Sequence, residues 1–258
     1  MKTLGLQVYT IREVLKDAEF MDLAFKKLAA MGITELQTAG DFIVEPAEYA
    51  RLAHKYGMSV VGTHYDYNKI LNAPEETIAV HRALGTTNIG IGGMPRYARS
   101  ELDELKKFVE EFNRTAELYA KEGFKLTYHN HQFEFMRIDG TKTLMDILAD
   151  ELDKNNVSFV LDTCWVAAGG NDVRYWIEKL AGRVDILHLK DIRLDNRSGN
   201  YCGTMTEIGN GSIYWDGVIE TARKTGVQSY VIEQDANFIN GNPFESLQVS
   251  TDYLKNYL

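Results

Sequence analysis

The sequence predicts a single closed (β/α)8 (TIM) barrel of the α/β class, one domain spanning residues 1–258. Three observations predict it. Eight short apolar runs recur along the chain, each followed by a segment with helical periodicity. No Pro- or Ser-rich linker, charge block or low-complexity segment divides them. A length of 258 residues also suits one undivided barrel.

The runs are Leu4–Thr10, Thr34–Thr38, Ser59–His64, Asn88–Gly92, Lys125–His131, Val157–Thr163, Val184–Asp191 and Ser229–Asp235. Between them, apolar residues three and four apart mark amphipathic helices, as in Leu102–Tyr119 and Val218–Lys224. Pro46, Pro74 and Pro243 stand where first helical turns begin, and Ser100 reads as an N-cap. Gly32, Gly57, Gly85, Gly123 and Gly226 each follow a helix and precede a strand, where a left-handed cap is needed. His54 and His81 fall in helical stretches and read as surface residues.

Composition narrows the function classes. A net charge of −9 argues against a nucleic-acid backbone as partner, because neutralising phosphates needs a basic surface. The start of the chain has no long apolar stretch, so neither signal peptide nor membrane span is expected. Cys164 and Cys202 lie in unlike settings and read as reduced thiols of a cytoplasmic protein.

In such barrels the loops after the strands build the active site, so polar residues at strand ends carry the information. Alternation of side chains along a strand sorts them by face. Thr127, His129 and His131 share one face of the fifth run, Ser158, Val160 and Asp162 one face of the sixth. His188 and Lys190 share a face of the seventh, and Val231, Glu233 and Asp235 a face of the eighth. Glu134 lies past the regular strand, where parity no longer fixes it. Glu, Asp, His and Glu on converging strand ends give three oxygen donors and one nitrogen, which suits Mn2+, Mg2+ or Co2+. For any one of these residues alone, a satisfied buried polar group is the plain alternative.

The motifs HNHQFEF (129–135), LDTCW, HLKD and IEQD, with the eight-unit pattern, resemble the xylose-isomerase-like barrel superfamily of sugar isomerases and epimerases. The resemblance covers essentially the whole chain. It implies one divalent ion, Mn2+ first with Mg2+, Co2+ and Zn2+ as alternatives, held by Glu134, Asp162, His188 and Glu233. Many relatives place a Glu inside the fifth strand, where this sequence has His129 or His131. Either the ligand has moved to Glu134, or a histidine has replaced it. Relatives often form dimers or tetramers, so a homo-oligomer is in keeping with the resemblance.

A cation chelating a carbonyl oxygen and a neighbouring hydroxyl stabilises an enediolate once a proton α to the carbonyl is removed. The expected activity is therefore a metal-dependent isomerase or epimerase of sugars or keto-sugars. The alternative is a lyase or dehydratase acting on 3-keto sugars, 3-keto-glycosides or inososes. A DNA-repair endonuclease is disfavoured by charge, and a non-catalytic sugar-binding barrel by the intact Asp162, His188 and Glu233. Glu134 and Glu233 are the expected ligands that double as acid and base, His131 a proton-transfer group and Lys190 a cation facing the enediolate. His64, His129, Trp165 and Glu35 are expected to contact substrate. Lys190 pairing with Asp235 or Glu207 is its structural alternative, and Asp191 reads as a loop anchor. The glycine turn Glu207–Ser212 reads as a tight turn entering the last helix rather than a phosphate cradle, and a phosphorylated substrate is not expected. Tyr9, Tyr65, Tyr67, Tyr201 and Phe238 stand on or after strand ends as aromatic walls.

Overall fold

The computed structural model describes residues 3–194 and 203–258; Tyr201 and Cys202 lie outside the described residues. Ten strands are present among them: β1 Gly5–Gln7, β2 Glu35–Ala39, β3 Ser59–His64, β4 Asn88–Ile91, β5 Lys125–His129, β6 Val157–Asp162, β7 Val184–Leu189, β8 Asp191–Arg193, β9 Thr204–Thr206 and β10 Ser229–Ile232. Eight of them form one parallel sheet in the order β3-β2-β1-β10-β7-β6-β5-β4, while β8 and β9 pair as an antiparallel ribbon. All eight expected runs are strands of this sheet.

The sheet curls so that its outer strands β3 and β4 meet, giving a nearly closed barrel. Tyr65 N donates to Gly90 O at 2.7 Å and Asn88 Nδ2 to Val61 O at 3.0 Å across this seam. A Cβ at Gly90 would stand 2.1 Å from Thr63 O, so only glycine permits this approach. His81 also serves the seam. Its Nδ1 donates to Thr77 O (2.7 Å), which leaves Nε2 to accept from the Thr63 hydroxyl (2.8 Å). His81 is therefore buried, not a surface residue as its helical setting implied. Thr77, His81 and Leu84 share the buried face of the helix Pro74–Leu84, a spacing that sequence inspection can find.

The helices follow the expected punctuation. Pro46, Pro74 and Pro243 each open one, and the five glycines named above all have positive φ. The long helix Leu102–Lys121 buries Leu105, Phe108, Val109, Phe112, Ala116 and Tyr119 as a stripe against the sheet. Its N-cap is Glu101; Ser100 instead ends the preceding 3-10 turn, its hydroxyl donating to Tyr97 O.

Inside the barrel, parity builds layers. Val160, Ile186 and Val231 pack together as an apolar floor. Two residues further along come Asp162 and His188, closing β6 and within β7, and Glu233 just past β10. Two further again, beyond the strand ends, come Lys190 after β7 and Asp235 after β10, with His131 two residues past His129, the last residue of β5. Burying each floor side chain stabilises the fold by roughly 1.5–3 kcal/mol, and the floor closes the barrel beneath the polar layers.

Candidate active site

The middle layer gathers His129, Asp162, His188 and Glu233 so that one ligand atom from each lies within 4.8 Å of the others, all from buried residues. Adjacent strands supply them in register: Asp162 pairs with His188, and His188 with Val231. Each imidazole is held in a defined tautomer by a partner behind it. His129 Nδ1 lies 3.3 Å from Gly92 O, a carbonyl that can only accept, so its Nε2 presents a lone pair to the cluster. His188 Nε2 lies 2.5 Å from Gln37 Oε1, which turns Nδ1 inward. Nδ1 is then 3.0 Å from Glu233 Oε2 and 3.5 Å from Asp162 Oδ2, and His129 Nε2 is also 3.5 Å from Asp162 Oδ2.

Three of these inward atoms, His129 Nε2, His188 Nδ1 and Asp162 Oδ2, are buried with no hydrogen-bond partner. Buried polar atoms are satisfied almost everywhere in folded proteins. Three orphans converging on one point fit a cation, and this His/Asp/His/Glu group could bind a metal ion. Electrostatics agrees. Burial alone would lower the pKa of His188, yet Glu233 and Asp162 outweigh it and hold it up at about 9, so the site stabilises positive charge at that spot. Burial would raise Glu233, but Lys190 and His188 hold its carboxyl well below the usual range.

Above this layer lies a cavity of about 220 Å3, lined in part by His64, His131, Trp165, Lys190 and Asp235. Lys190 Nζ contacts Asp235 Oδ2 (2.6 Å), Glu233 Oε2 (3.2 Å) and Asp162 Oδ2 (3.6 Å), and sits 4.7 Å from the centre of the Trp165 ring. Burial works against its charge, but Glu233, Asp162 and Asp235 outweigh that and raise its pKa. Of the two expected partners of Lys190, Asp235 is the one it meets. Glu207 accepts from Ser246 and Thr206 instead. Once a bound ion holds His188 neutral, three carboxylates against one ammonium leave two negative charges, which suits a divalent ion.

His131 stands in this upper layer, its ring 4.8 Å from that of His129 and 5.6 Å from Trp165, with Nδ1 unpartnered. Burial, then the neighbouring His129, pushes its pKa down to about 3. His64 packs 4.7 Å from His129 and 5.6 Å from His188, and burial keeps it well below its ordinary value too. Both imidazoles are neutral here.

Two expected residues are not brought to the site. Glu134 lies in the 3-10 turn Gln132–Phe135, and its carboxyl accepts from Tyr128 OH (2.6 Å) and His131 N (2.8 Å). Tyr128 packs outward against Phe108, Phe112 and Phe159, so Glu134 faces the outer layer and His129 fills the fourth corner of the cluster. Glu35 opens β2, paired with Gly5 and Ser59, and so sits at the end of the barrel opposite the cavity. Gln37, two residues on, is the residue of that strand that reaches the cluster. Asp235 was also missed as a site residue; its shared parity with Glu233 was the available signal.

The glycine turn after β9 holds no vacant anion cradle. Gly209 N (2.9 Å), Gly211 N (3.1 Å) and Trp215 Nε1 (2.8 Å) all donate to the Asp191 carboxylate. An internal carboxylate thus occupies the amides that a phosphate would need, as expected for a loop anchor.

Comparisons with known proteins agree with this architecture. Over 214 residues the chain is 27% identical to the inosose dehydratase of Lactiplantibacillus plantarum, covering 76% of this chain and 68% of that protein. It is 24% identical over 255 residues to the inosose dehydratase of Clostridium perfringens, covering 94% and 80%. The crystal structure of a sugar phosphate isomerase/epimerase from Parabacteroides distasonis superposes with a TM-score of 0.82 at 24% identity, covering 98% of this chain and 93% of that one, a likeness of fold. Among the described residues no helix is long and apolar enough to cross a membrane. Residues 25–256 match the family model described as xylose isomerase-like TIM barrel, and the chain belongs to that family.

Proposed function

We propose that this protein is a metal-dependent enzyme that removes a proton α to the carbonyl of a keto-sugar or inosose and then expels the β-oxygen substituent, as a dehydratase or lyase does. The observation that carries the proposal is the stacking of a cation-ready layer, His129, Asp162, His188 and Glu233, beneath a proton-handling layer containing His131 and Lys190. The naming of its relatives as inosose dehydratases points the same way.

His129, Asp162, His188 and Glu233 would hold a divalent ion, which would supply Lewis-acid polarisation of the substrate carbonyl. Two nitrogens and two carboxylates are a softer set than the one expected from sequence. They favour Mn2+, Co2+ or Zn2+ over Mg2+. The neutral His131 imidazole, part of the cavity wall, takes the α-proton. The electron pair of the broken C–H bond is first held as an enolate; as the carbonyl reforms, a Cα=Cβ bond forms and the C–O bond at the β carbon breaks with its pair on oxygen. That oxygen receives the proton from His131 and leaves as water or an alcohol. Lys190 Nζ, desolvated and fixed by Asp235, places positive charge beside the transient enolate. Trp165 walls the cavity against the sugar face.

One observation favours a second reading. Asp235 Oδ1 is also buried and unpartnered, and comes from the strand end on β10 while His131 comes from β5. Two proton-handling groups on different walls would allow return of the proton to the other face, which is epimerisation. NMR of the Mn2+-loaded enzyme in D2O with inosose and 3-keto-glucose separates the two. An enone with released water establishes elimination; α-deuterium in an unchanged skeleton establishes epimerisation or isomerisation. His131→Ala is expected to lose about 10^2–10^4-fold in turnover while binding Mn2+ normally, and full activity in that variant would remove His131 from the mechanism.

A further inference from the structure

Beside the catalytic cavity lies a second, smaller one of about 140 Å3, whose wall shares Tyr9 and Ala39 with it. Its lining is mostly apolar, with Leu15, Met21, Phe42 and Ile43. Arg12 and Asp41 also line it, and two buried polar atoms interrupt its apolar wall. Tyr49 and Thr38 are each only 3% exposed, and neither the Tyr49 hydroxyl nor Thr38 Oγ1 has a hydrogen-bond partner. The Tyr49 ring is held edge-on by Phe25 (5.4 Å) and Phe42 (6.0 Å), so its hydroxyl has a fixed position. At the junction of the two cavities the Arg12 guanidinium lies 4.0 Å over the Tyr9 ring and donates to Asp235 O at 3.1 Å.

We propose that this cavity is a subsite for a hydroxylated aromatic group carried by the sugar, which makes the substrate an aryl glycoside rather than a free monosaccharide. The proposal rests on the reading that the larger cavity holds a keto-sugar. Size fits, since an apolar cavity of about 150 Å3 holds a benzene ring. Chemistry fits as well. An aromatic ring satisfies the apolar wall, and one hydroxyl on it can exchange hydrogen bonds with Tyr49 and Thr38. A second sugar ring would set several of its hydroxyls against the Leu15, Met21, Phe42 and Ile43 wall, and each unpaired one would be penalised by burial. Arg12 and Tyr9 give the connecting oxygen a firm edge where the two cavities join.

The test uses the full-length Mn2+-loaded protein. Binding of phenol and of toluene is followed by ligand-observed NMR in wild type, in Tyr49→Phe/Thr38→Val and in Met21→Trp, which fills the cavity. Phenol is expected to bind wild type and to bind the double variant about tenfold more weakly, the loss of two hydrogen bonds, with toluene unchanged. Met21→Trp should bind neither. Phenol binding that is absent in wild type, or unaffected by Met21→Trp, overturns the proposal. Turnover of 4-hydroxyphenyl and methyl 3-keto-glucosides then separates the two readings. A preference for the aryl compound that Met21→Trp abolishes, at an unchanged rate on the methyl compound, supports the subsite. Equal turnover of both by wild type overturns the subsite and leaves the elimination chemistry standing. Phenol bound at the cavity with neither glycoside turned over supports the subsite and overturns the elimination.

Discussion

Two buried aspartates stand at the ends of neighbouring strands, Asp162 closing β6 and Asp191 just beyond β7, and their surroundings are opposite in kind. Asp191 receives neutral donors from Ile192 N, Gly209 N, Gly211 N and the Trp215 indole. Asp162 accepts only Trp165 N on Oδ1, and its Oδ2 faces two imidazoles and an ammonium at 3.5–3.6 Å without a hydrogen bond. A carboxylate whose lone pairs are filled by backbone amides ties a loop to a strand. One left open toward cationic and imidazole partners is prepared for something the chain does not itself contain. Burial and position in the barrel do not separate the two; hydrogen-bond accounting does.

The comparison breaks most visibly at Asp162. Asp162→Asn is expected to lower kcat/KM by about 10^3-fold or more, the several kcal/mol a Lewis acid contributes, and to weaken Mn2+ binding measured by calorimetry, with little change in melting temperature of the metal-free protein. Full activity in that variant would end the case for a metal at this cluster. Asp191→Asn should do the reverse. An amide nitrogen turned toward the Gly209, Gly211 and Trp215 donors leaves buried groups unpaired, which costs about 2–3 kcal/mol and lowers Tm by roughly 5–10 °C. Calorimetric Mn2+ affinity should stay as in wild type, and a variant that kept its Tm but lost the metal would reverse the roles of the two aspartates.

Glu134 sharpens the contrast more gently, because it is both satisfied and buried. Burial lifts its pKa to about 7, against the Tyr128 and His131 hydrogen bonds that lower it. The folded chain therefore keeps this proton after the unfolded chain has released its own near 4.5. Its contribution falls as pH rises from about 4.5 toward 7, since the unfolded state then binds fewer protons than the native one. Between pH 5 and pH 8 wild type should lose roughly 2–3 kcal/mol from this group. Glu134→Gln should show a flatter urea-stability profile over that window, and equal slopes in the two proteins would discard the explanation.

Much of this architecture is legible in the sequence because period-2 alternation and helix punctuation are local signals. The eight strands, the proline starts and the glycine caps follow from them. So do Asp162, His188 and Glu233, which stand inside or immediately after regular strands where parity still sorts faces. Legibility fails where the chain leaves that regularity. Glu134 lies within a 3-10 turn, and nothing local shows that its carboxyl folds back onto Tyr128 and the His131 amide. The choice between Glu35 and Gln37 depends on which end of a five-residue strand faces the cavity, a matter of barrel stagger set by neighbouring strands. His81 was misplaced because a histidine on a helix says little until its i±4 neighbours are read with it.

The layered spacing of the polar residues also constrains how such a protein can change over generations. Along the stretches that run through and just past β7 and β10, the cation-ready and proton-handling residues lie two positions apart, above an apolar floor residue two positions below. Single substitutions can therefore alter either layer while sparing the other. Inserting or deleting one residue within β5, β7 or β10 would turn every layer on that strand outward together. Variation in length is thus confined to the loops, and a lineage built on this barrel diversifies its catalysis by exchanging letters at fixed positions, with longer or shorter loops reserved for reshaping the entrance.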